Sequence, residues 1–387
     1  MVHFAHFADV HLGGWRQGPM QDLNFIAFQK VIDTCILRKV EFILIAGDLF
    51  DSAYPPIETL KETFAEFRKL KEAKIPVFII AGSHDYSASG RTFLEVLEKA
   101  GFCKNVFDAE FKENEIILSP TINKGVAIYG YPGKKSGLEV GDIKKLKLND
   151  SPGMFKILML HTTMDKVRGV LPIECAEVDK LPEANYYALG HIHIDFRYKN
   201  LVYPGPVFPN NFGELETLEN GSFYIVDTDL GNPFEKIDIK VKEIVSLDVE
   251  AKNAILTNEE ILKELGKKNL KDKIVLLRVS GDLDNQKISD IHFEKIENFC
   301  FENGAYFFLK NTHDLKTSEV KLDIEIKNKD NLEEEGIMKY SSENPSEFNK
   351  FIPQLINILS IEKQEGETID SFNTRILGES RKVLDIE

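Results

Sequence analysis

The first 230 residues of the 387-residue chain predict a layered α/β domain, and three observations carry that reading. Short β-type runs alternate with amphipathic helical stretches. The apolar content of 43%, with 10% aromatics, suits packed structure rather than disorder. Five of the β-type runs also end abruptly in aspartate or histidine, as strands do when they deliver side chains to a site.

In chain order the runs are HFAHFA (3–8), FILIA (42–46), VFIIA (77–81), VAIYG (126–130), KILML (156–160), YYALG (186–190) and FYIVD (223–227). Between the second and third, Ile57, Leu60, Phe64, Phe67 and Leu70 recur on one face of a helix. Pro55-Pro56 opens that helix and Ile75-Pro76 lies beyond its end. After Asn232 the texture changes. EKIDIKVKEIVSLDVEA reads as a strand pair, and Thr257 with Glu260 reads as a capping box opening a helix. KIVLLRVSG, KISDIHFEKIENFCFENG and AYFFLK then read as strand, helix and strand, completing a β-α-β-α-β unit. From about Leu315 the chain is charged, and EEE at 333–335 reads as a linker. Two apolar helical patterns follow: Phe348, Phe351, Ile352, Leu355, Ile356, Leu359, and then Ile369, Phe372, Ile376, Leu377. Pro353 is expected to kink or break the first. The expected domains are 1–231, 232–314 and 315–387.

Bulk properties narrow the function. No apolar run reaches the length of about 18 residues that a membrane span needs. The opening MVHFAHFADVH has no basic leader region, so a cytoplasmic protein is expected, nucleoid-associated if prokaryotic. Four scattered cysteines fit a reducing compartment and no thiolate metal site. The net charge of −15 weighs against simple electrostatic binding of nucleic acid. Residues 314–387 carry 17 acidic and 10 basic side chains of that total. Bound metal ions and a local basic patch can still supply the positive field a phosphate needs.

The chemistry collects where the runs end. HFAHFA leads to Asp9-Val10-His11, and FILIA to Gly47-Asp48-Leu49-Phe50-Asp51. VFIIA leads to Gly82-Ser83-His84-Asp85, KILML to His161, and YYALG to His191-Ile192-His193. Taken singly, each is an ordinary turn, cap or core histidine. Together, five of the nine histidines fall at equivalent points of five runs, with Asp9 and Asp48 beside them. Carboxylates and imidazoles without cysteine suit borderline divalent ions such as Mn²⁺, Fe²⁺ or Zn²⁺. Six or seven donors exceed one tetrahedral site but suit two ions sharing a carboxylate, the arrangement for hydrolysing a phosphoester by direct attack of a metal-bound hydroxide.

The ordered set Asp9-x-His11, Gly47-Asp48-x-x-Asp51, Gly82-x-His84-Asp85, His161, Gly190-His191-x-His193 resembles the calcineurin-like metallophosphoesterase superfamily across residues 1–230. Within it, FADVHLG, GDLFD and ALGHIH followed by Tyr203-Pro204-Gly205-Pro206 look most like the SbcD-like, meiotic-recombination-type nucleases of double-strand-break repair. The resemblance implies a four-layer β-sandwich flanked by helices, a small α+β cap, and a C-terminal helical segment that docks on an SMC-like coiled-coil ATPase. It implies two Mn²⁺ ions, a homodimer, and exonuclease and endonuclease action on DNA ends and single strands.

Carried over by position, Asp9, His11 and His193 hold one ion, Asp48 bridges, and His161, His191 and position 83 hold the other. His84 becomes the catalytic histidine that assists the leaving oxygen, and Asp51 and Asp85 orient the imidazoles and loops. The family has Asn at position 83, so Ser83, a shorter and poorer ligand, is expected to weaken the second ion. Tyr86-Ser87-Ala88-Ser89-Gly90 adds hydroxyls to the same loop. Phe351 and Leu355 are the expected anchors on the ATPase partner. Two other readings stand beside the nuclease: a metallophosphoesterase for non-DNA substrates, and an attenuated DNA-end-binding scaffold.

Overall fold

A computed structural model describes residues 2–87, 90, 92–134, 137–168, 174–231, 233–283, 286–317, 342, 346–361 and 369–384. The chain divides into two compact units, Met1–Thr317 and Ser318–Glu387. The EEE stretch at 333–335, Ala88, Ser89 and the side chain of Ile369 lie outside the described residues.

Two six-stranded sheets form the centre of the first unit. One orders its strands Phe234–Ile239, Gly221–Asp227, His3–Phe7, Phe42–Ala46, Val77–Ile80 and Lys104–Asn105. The other orders them Asp195–Tyr198, Leu201–Pro204, Tyr186–Gly190, Phe155–His161, Val126–Tyr131 and Thr121–Asn123. Alternate residues of the inner strands face each other. Phe4, Leu44 and Ile80 from the first sheet share one core with Ile128, Ile157, Met159 and Ala188 from the second. The opposite face of the first sheet, through Phe7, Ile43, Ile45 and Ile79, packs on the helices Gly18–Leu37 and Ile57–Glu72. Strands buried on both faces need the near-continuous apolar runs seen in the sequence. The family-type sandwich flanked by helices is thus present. One residue departs from its expected face: Ile57, at the start of its helix, is 80% exposed.

Beyond the sandwich, Ile244–Glu250, Ile274–Leu283 and Phe307–Asn311 form a parallel sheet with the helices Ala254–Gly266 and Phe293–Glu302 between them. Val275, Leu277 and Val279 point to that sheet's own helices, while Ile274 and Leu276 join the core under the first sandwich sheet. Two expectations fail here. EKIDIKVKEIVSLDVEA is no strand pair: Phe234–Ile239 adds to the sandwich beside Gly221–Asp227, and Ile244–Glu250 opens the next sheet. Both halves alternate alike, so periodicity could not show that they part company. The helix after them starts at Ala254, capped by the Asn253 side chain, which accepts from the Ile255 and Leu256 amides at 3.0 and 3.2 Å. Thr257 is buried within that helix and caps nothing.

In the second unit, a 3₁₀ turn, Glu347–Phe351, runs into the helix Ile352–Leu359, and a further helix spans Ile369–Leu384. Pro353 sits in the first turn of its helix and starts it rather than kinking it, since the missing N–H is one that a helix start leaves unpaired anyway. Phe351 therefore belongs to the 3₁₀ turn, with its ring 6.4 Å from that of Phe348, and Leu355 to the helix. No helix among the described residues is long and apolar enough to cross a membrane.

One buried polar pair lies within the sandwich core. His6 is fully buried, with Nδ1 2.9 Å from the Tyr186 hydroxyl of the facing sheet. Burial pushes the His6 pKa down to about 3. The unfolded chain takes up this proton below about pH 6.5 and the folded one refuses it until about pH 3. Stability is therefore complete above pH 6.5 and falls as pH drops toward 3, by up to about 1.4 kcal/mol per pH unit from this group. Urea unfolding across pH 4–7 should show that slope, and His6→Gln should flatten it.

Candidate metal centre

The polar ends of the strands converge at one end of the sandwich. Asp9 and His11 follow the strand His3–Phe7, Asp48 follows Phe42–Ala46, His161 closes Phe155–His161, and His191 and His193 follow Tyr186–Gly190. Both sheets contribute. The loops are laced by backbone bonds: Asp9 N donates to Gly47 O at 3.1 Å, and Val10 and His11 N both donate to Asp48 O at 2.9 and 3.0 Å. Asn24 of the helix Gly18–Leu37 donates from Nδ2 to Val10 O at 2.8 Å, fixing the first loop from behind. Asp9, His11, Asp48 and His191 all have φ between +48° and +95°, a region that side-chain-bearing residues seldom adopt.

Small residues make room for this crowding. A Cβ at Gly82 would stand 2.2 Å from Asp48 Oδ1, and one at Gly47 2.3 Å from His161 Nδ1. At Gly133 it would stand 2.5 Å from His161 Cδ2. The glycines of the Gly-Asp and Gly-x-His-Asp motifs are thus set by close approach to His161 and Asp48.

Three groups of donor atoms lie mutually within 4.8 Å: Asp9, His11 and His193; Asp9, Asp48 and His161; and His11, Asp48 and His84. Asp48 Oδ2 is 3.2 Å from His161 Nε2 and 3.8 Å from His11 Nε2, and so links the second group to the other two through His11. His161 donates from Nδ1 to Ala46 O at 2.9 Å, so Nε2 faces the cluster, buried and without an aligned hydrogen bond. His191 lies beside it, ring centroids 5.1 Å apart, with its backbone N donating to Asp9 at 2.9 Å. Ser83 Oγ donates to Asp48 Oδ2 at 3.3 Å, and His84 N to Asp48 Oδ1 at 2.7 Å. The His84 ring is half exposed, with Nδ1 2.9 Å from Asp51 O.

The charges of the cluster divide its histidines into raised and lowered groups. Burial opposes ionisation of Asp48, but the His161 and His11 rings hold its carboxyl well below the usual range. Burial also opposes charge on His161, yet Asp48 and Asp9 raise it to about 10. His193 rises to about 9 against its burial through Glu214 and Asp9. His191 instead falls to about 4, through burial and the neighbouring His161, and stays in the neutral form that ligates metals. His11 Nε2 and His193 Nε2 stand 3.1 Å apart, while their Nδ1 atoms face Asp51 and Glu214. At that separation the two nitrogens either share a proton, with one donating to the other, or hold a cation between them. Imidazole nitrogens turned toward one another and toward fully buried carboxylates fit divalent ions, and the donor set is that of borderline metals.

The supporting residues include two the sequence reading missed. Glu214 Oε1 accepts from His193 Nδ1 at 3.0 Å, and Glu214 Oε2 from Asn210 N at 2.8 Å. The signal was present as Asn211-Phe-Gly-Glu214, a cap followed three residues later by glutamate, in which Asn211 Oδ1 accepts from Glu214 N at 2.9 Å. Asn210 helps to hold down the carboxyl of Asp51, which is lowered first by its bond from His11. Asp51 Oδ1 receives His11 Nδ1 at 3.1 Å. Asp85 is fully buried and accepts from the amides of Gly82 at 2.9 Å, Phe50 at 3.1 Å and Leu49 at 3.3 Å. Burial and the charge of Asp48 raise its pKa to about 6.

Removing a partner that orients a metal-binding histidine typically costs 10–100-fold in affinity. Glu214→Ala should weaken divalent-ion binding by about that factor in calorimetric titration of metal-depleted protein, with the fold retained by circular dichroism.

The model of the calcineurin-like phosphoesterase family matches residues 2–195. The DNA double-strand break repair protein Mre11 of Methanocaldococcus jannaschii is 31% identical over 282 residues, 67% of this chain and 72% of that protein. The protein of the same name from Archaeoglobus fulgidus is 27% identical over 325 residues, 76% of this chain and 72% of that one. The uncharacterized metallophosphoesterase YhaO of Bacillus subtilis is 29% identical over 272 residues, 65% of this chain and 64% of that protein. With the family's model matched from the first strand through the last of the clustered histidines, the chain belongs to the calcineurin-like phosphoesterases, metal-dependent hydrolases of phosphoesters.

Proposed function

We propose that the protein is a DNA nuclease that processes double-strand ends with two divalent ions, Mn²⁺ foremost. The observation that carries this reading is the gathering of Asp9, Asp48, His11, His161 and His193, from both sheets, into overlapping groups whose donor atoms lie within 4.8 Å of one another. The names of the relatives, repair proteins aligned over about two thirds or more of this chain, supply the substrate class.

In this reading Asp9, His11 and His193 would hold one ion, and His161, His191 and Ser83 the other, with Asp48 serving both. Ions so held supply Lewis-acid activation of water and neutralise charge on the scissile phosphate. The chain's own residues do the rest. His84, half exposed, with Nδ1 bonded to Asp51 O, presents Nε2 to the substrate and assists the leaving oxygen. Asp51 steadies both His11 and His84, since its Oδ1 is 3.1 Å from the first ring and 3.6 Å from the second. Asp85 holds the loop that carries Ser83 and His84 against the loop that carries Asp48.

The same reading extends to exonuclease and endonuclease action, a homodimer, and an SMC-like coiled-coil ATPase that docks on the C-terminal helices. Phe351 and Leu355, each only half-buried, are the proposed anchors there. Ser83 supports a second reading, a DNA-end-binding scaffold with attenuated cleavage, because its hydroxyl is spent on Asp48 at 3.3 Å.

Purified protein should degrade linear duplex DNA when Mn²⁺ is supplied and stop when it is chelated; hydrolysis of simple diesters without any DNA cleavage would contradict the nuclease. His84→Ala should lower turnover by at least about 100-fold while two ions remain bound in anomalous scattering. Loss of an ion in that variant would show His84 to be a ligand instead. Ser83→Asn should tighten the weaker ion and raise activity at limiting Mn²⁺, and an unchanged metal titration would show that Ser83 is no handicap.

A further inference from the structure

Beside the metal cluster is a cavity of about 460 Å³ whose use the catalytic reading leaves open. Tyr86, two residues beyond His84, forms one wall, and Phe107, Phe111 and Tyr131 form the others. Pro132 and Lys134 close it on either side of Gly133. Gly133 is what joins cavity to cluster. Its amide donates to Ala81 O at 3.0 Å, and a Cβ there would reach within 2.5 Å of the His161 ring. One wall of the cavity is therefore continuous with the backbone that packs on a metal-binding histidine, and another with the loop that bears the catalytic one.

The lining is aromatic and geometrically fixed. Phe107 and Tyr131 meet edge to face at 5.5 Å, and the Tyr131 hydroxyl donates to Asp142 at 2.7 Å. Lys134 donates to the same carboxylate at 2.6 Å, with its Nζ 5.9 Å from the Tyr131 ring centre. The volume is that of a small-molecule site, roughly 300–1,000 Å³. Ser87 and Gly90 complete the lining, Lys134 is paired with Asp142, and among the described residues no side-chain amide stands there to read the edge of a ligand. That chemistry suits a flat, uncharged π-system.

Resting on the nuclease reading, we propose that this cavity receives an unpaired nucleobase of the strand whose phosphate lies at His84, stacking it on Phe111 and Tyr86. Stacking of this kind is indifferent to sequence, because every base has a π-face. It demands that the base leave its duplex, so it favours frayed ends, single strands and mismatches, where unstacking costs least. The cavity would then select for nucleotides that are already unpaired.

The test uses the full chain with Mn²⁺ and single-stranded oligonucleotides, either intact or abasic at a nucleotide flanking the cut, with kcat/KM as the readout. Phe111 is 62% exposed, so its truncation spares the core. Phe111→Ala should lower kcat/KM on intact strands about tenfold, in line with one stacked base, while Phe111→Tyr should retain it. An abasic nucleotide should cost the unsubstituted protein about the same factor, and Phe111→Ala should add nothing to that loss. Unchanged kcat/KM in Phe111→Ala, or equal losses on intact and abasic strands, would overturn the base pocket while leaving the nuclease intact. Failure of the unsubstituted protein to cut any oligonucleotide would overturn both.

Discussion

The carboxylate of Asp85 and the three backbone amides it accepts from set the geometry on which the rest depends. Its bonds to Leu49 and Phe50 hold the end of the second strand, and its bond to Gly82 holds the end of the third. Asp48 then receives the His84 amide, and the Asp48 carbonyl receives Val10 and His11. Three strand ends are thereby locked to one another before any cation is considered. Leaving even one of those buried amides unpaired costs about 1–3 kcal/mol, so the loops have little freedom to slip.

That rigidity bears a cost in backbone conformation. Asp9, His11, Asp48 and His191 sit at positive φ, where each residue gives up about 1–3 kcal/mol relative to an ordinary conformation. The surrounding sheets, apolar on both faces, hold them there. Strain, inward-turned imidazoles and buried carboxylates accumulate in the same small space. Such a combination is costly in an ordinary core and fits a cation site.

Much of the arrangement was legible in the sequence, for a physical reason. Each of the seven apolar runs is a strand, because a strand buried on both faces has to be apolar throughout. The aspartates and histidines beyond those runs were conspicuous because nothing else explains charge at the end of a buried strand. Less was legible where local pattern is degenerate. Phe234–Ile239 and Ile244–Glu250 alternate alike, and only tertiary packing assigns them to different sheets. Asn253 replaced Thr257 as cap because both types can cap, and the helix could begin a turn earlier. Glu214 and Asn210 escaped notice since their role exists only through His193 and Asp51, far away in the chain.

The donors come from two sheets: Asp9 and Asp48 extend from one, His161, His191 and His193 from the other. Ions seated among them would act as rivets across the sandwich as well as reagents. Binding to the folded chain alone adds free energy that grows with the logarithm of free-ion concentration. The persistence of the fold would then follow the metal supply around it. A chain starved of metal would lose its clamp between the sheets along with its chemistry, and so become a target for proteolysis rather than an idle enzyme sitting on DNA.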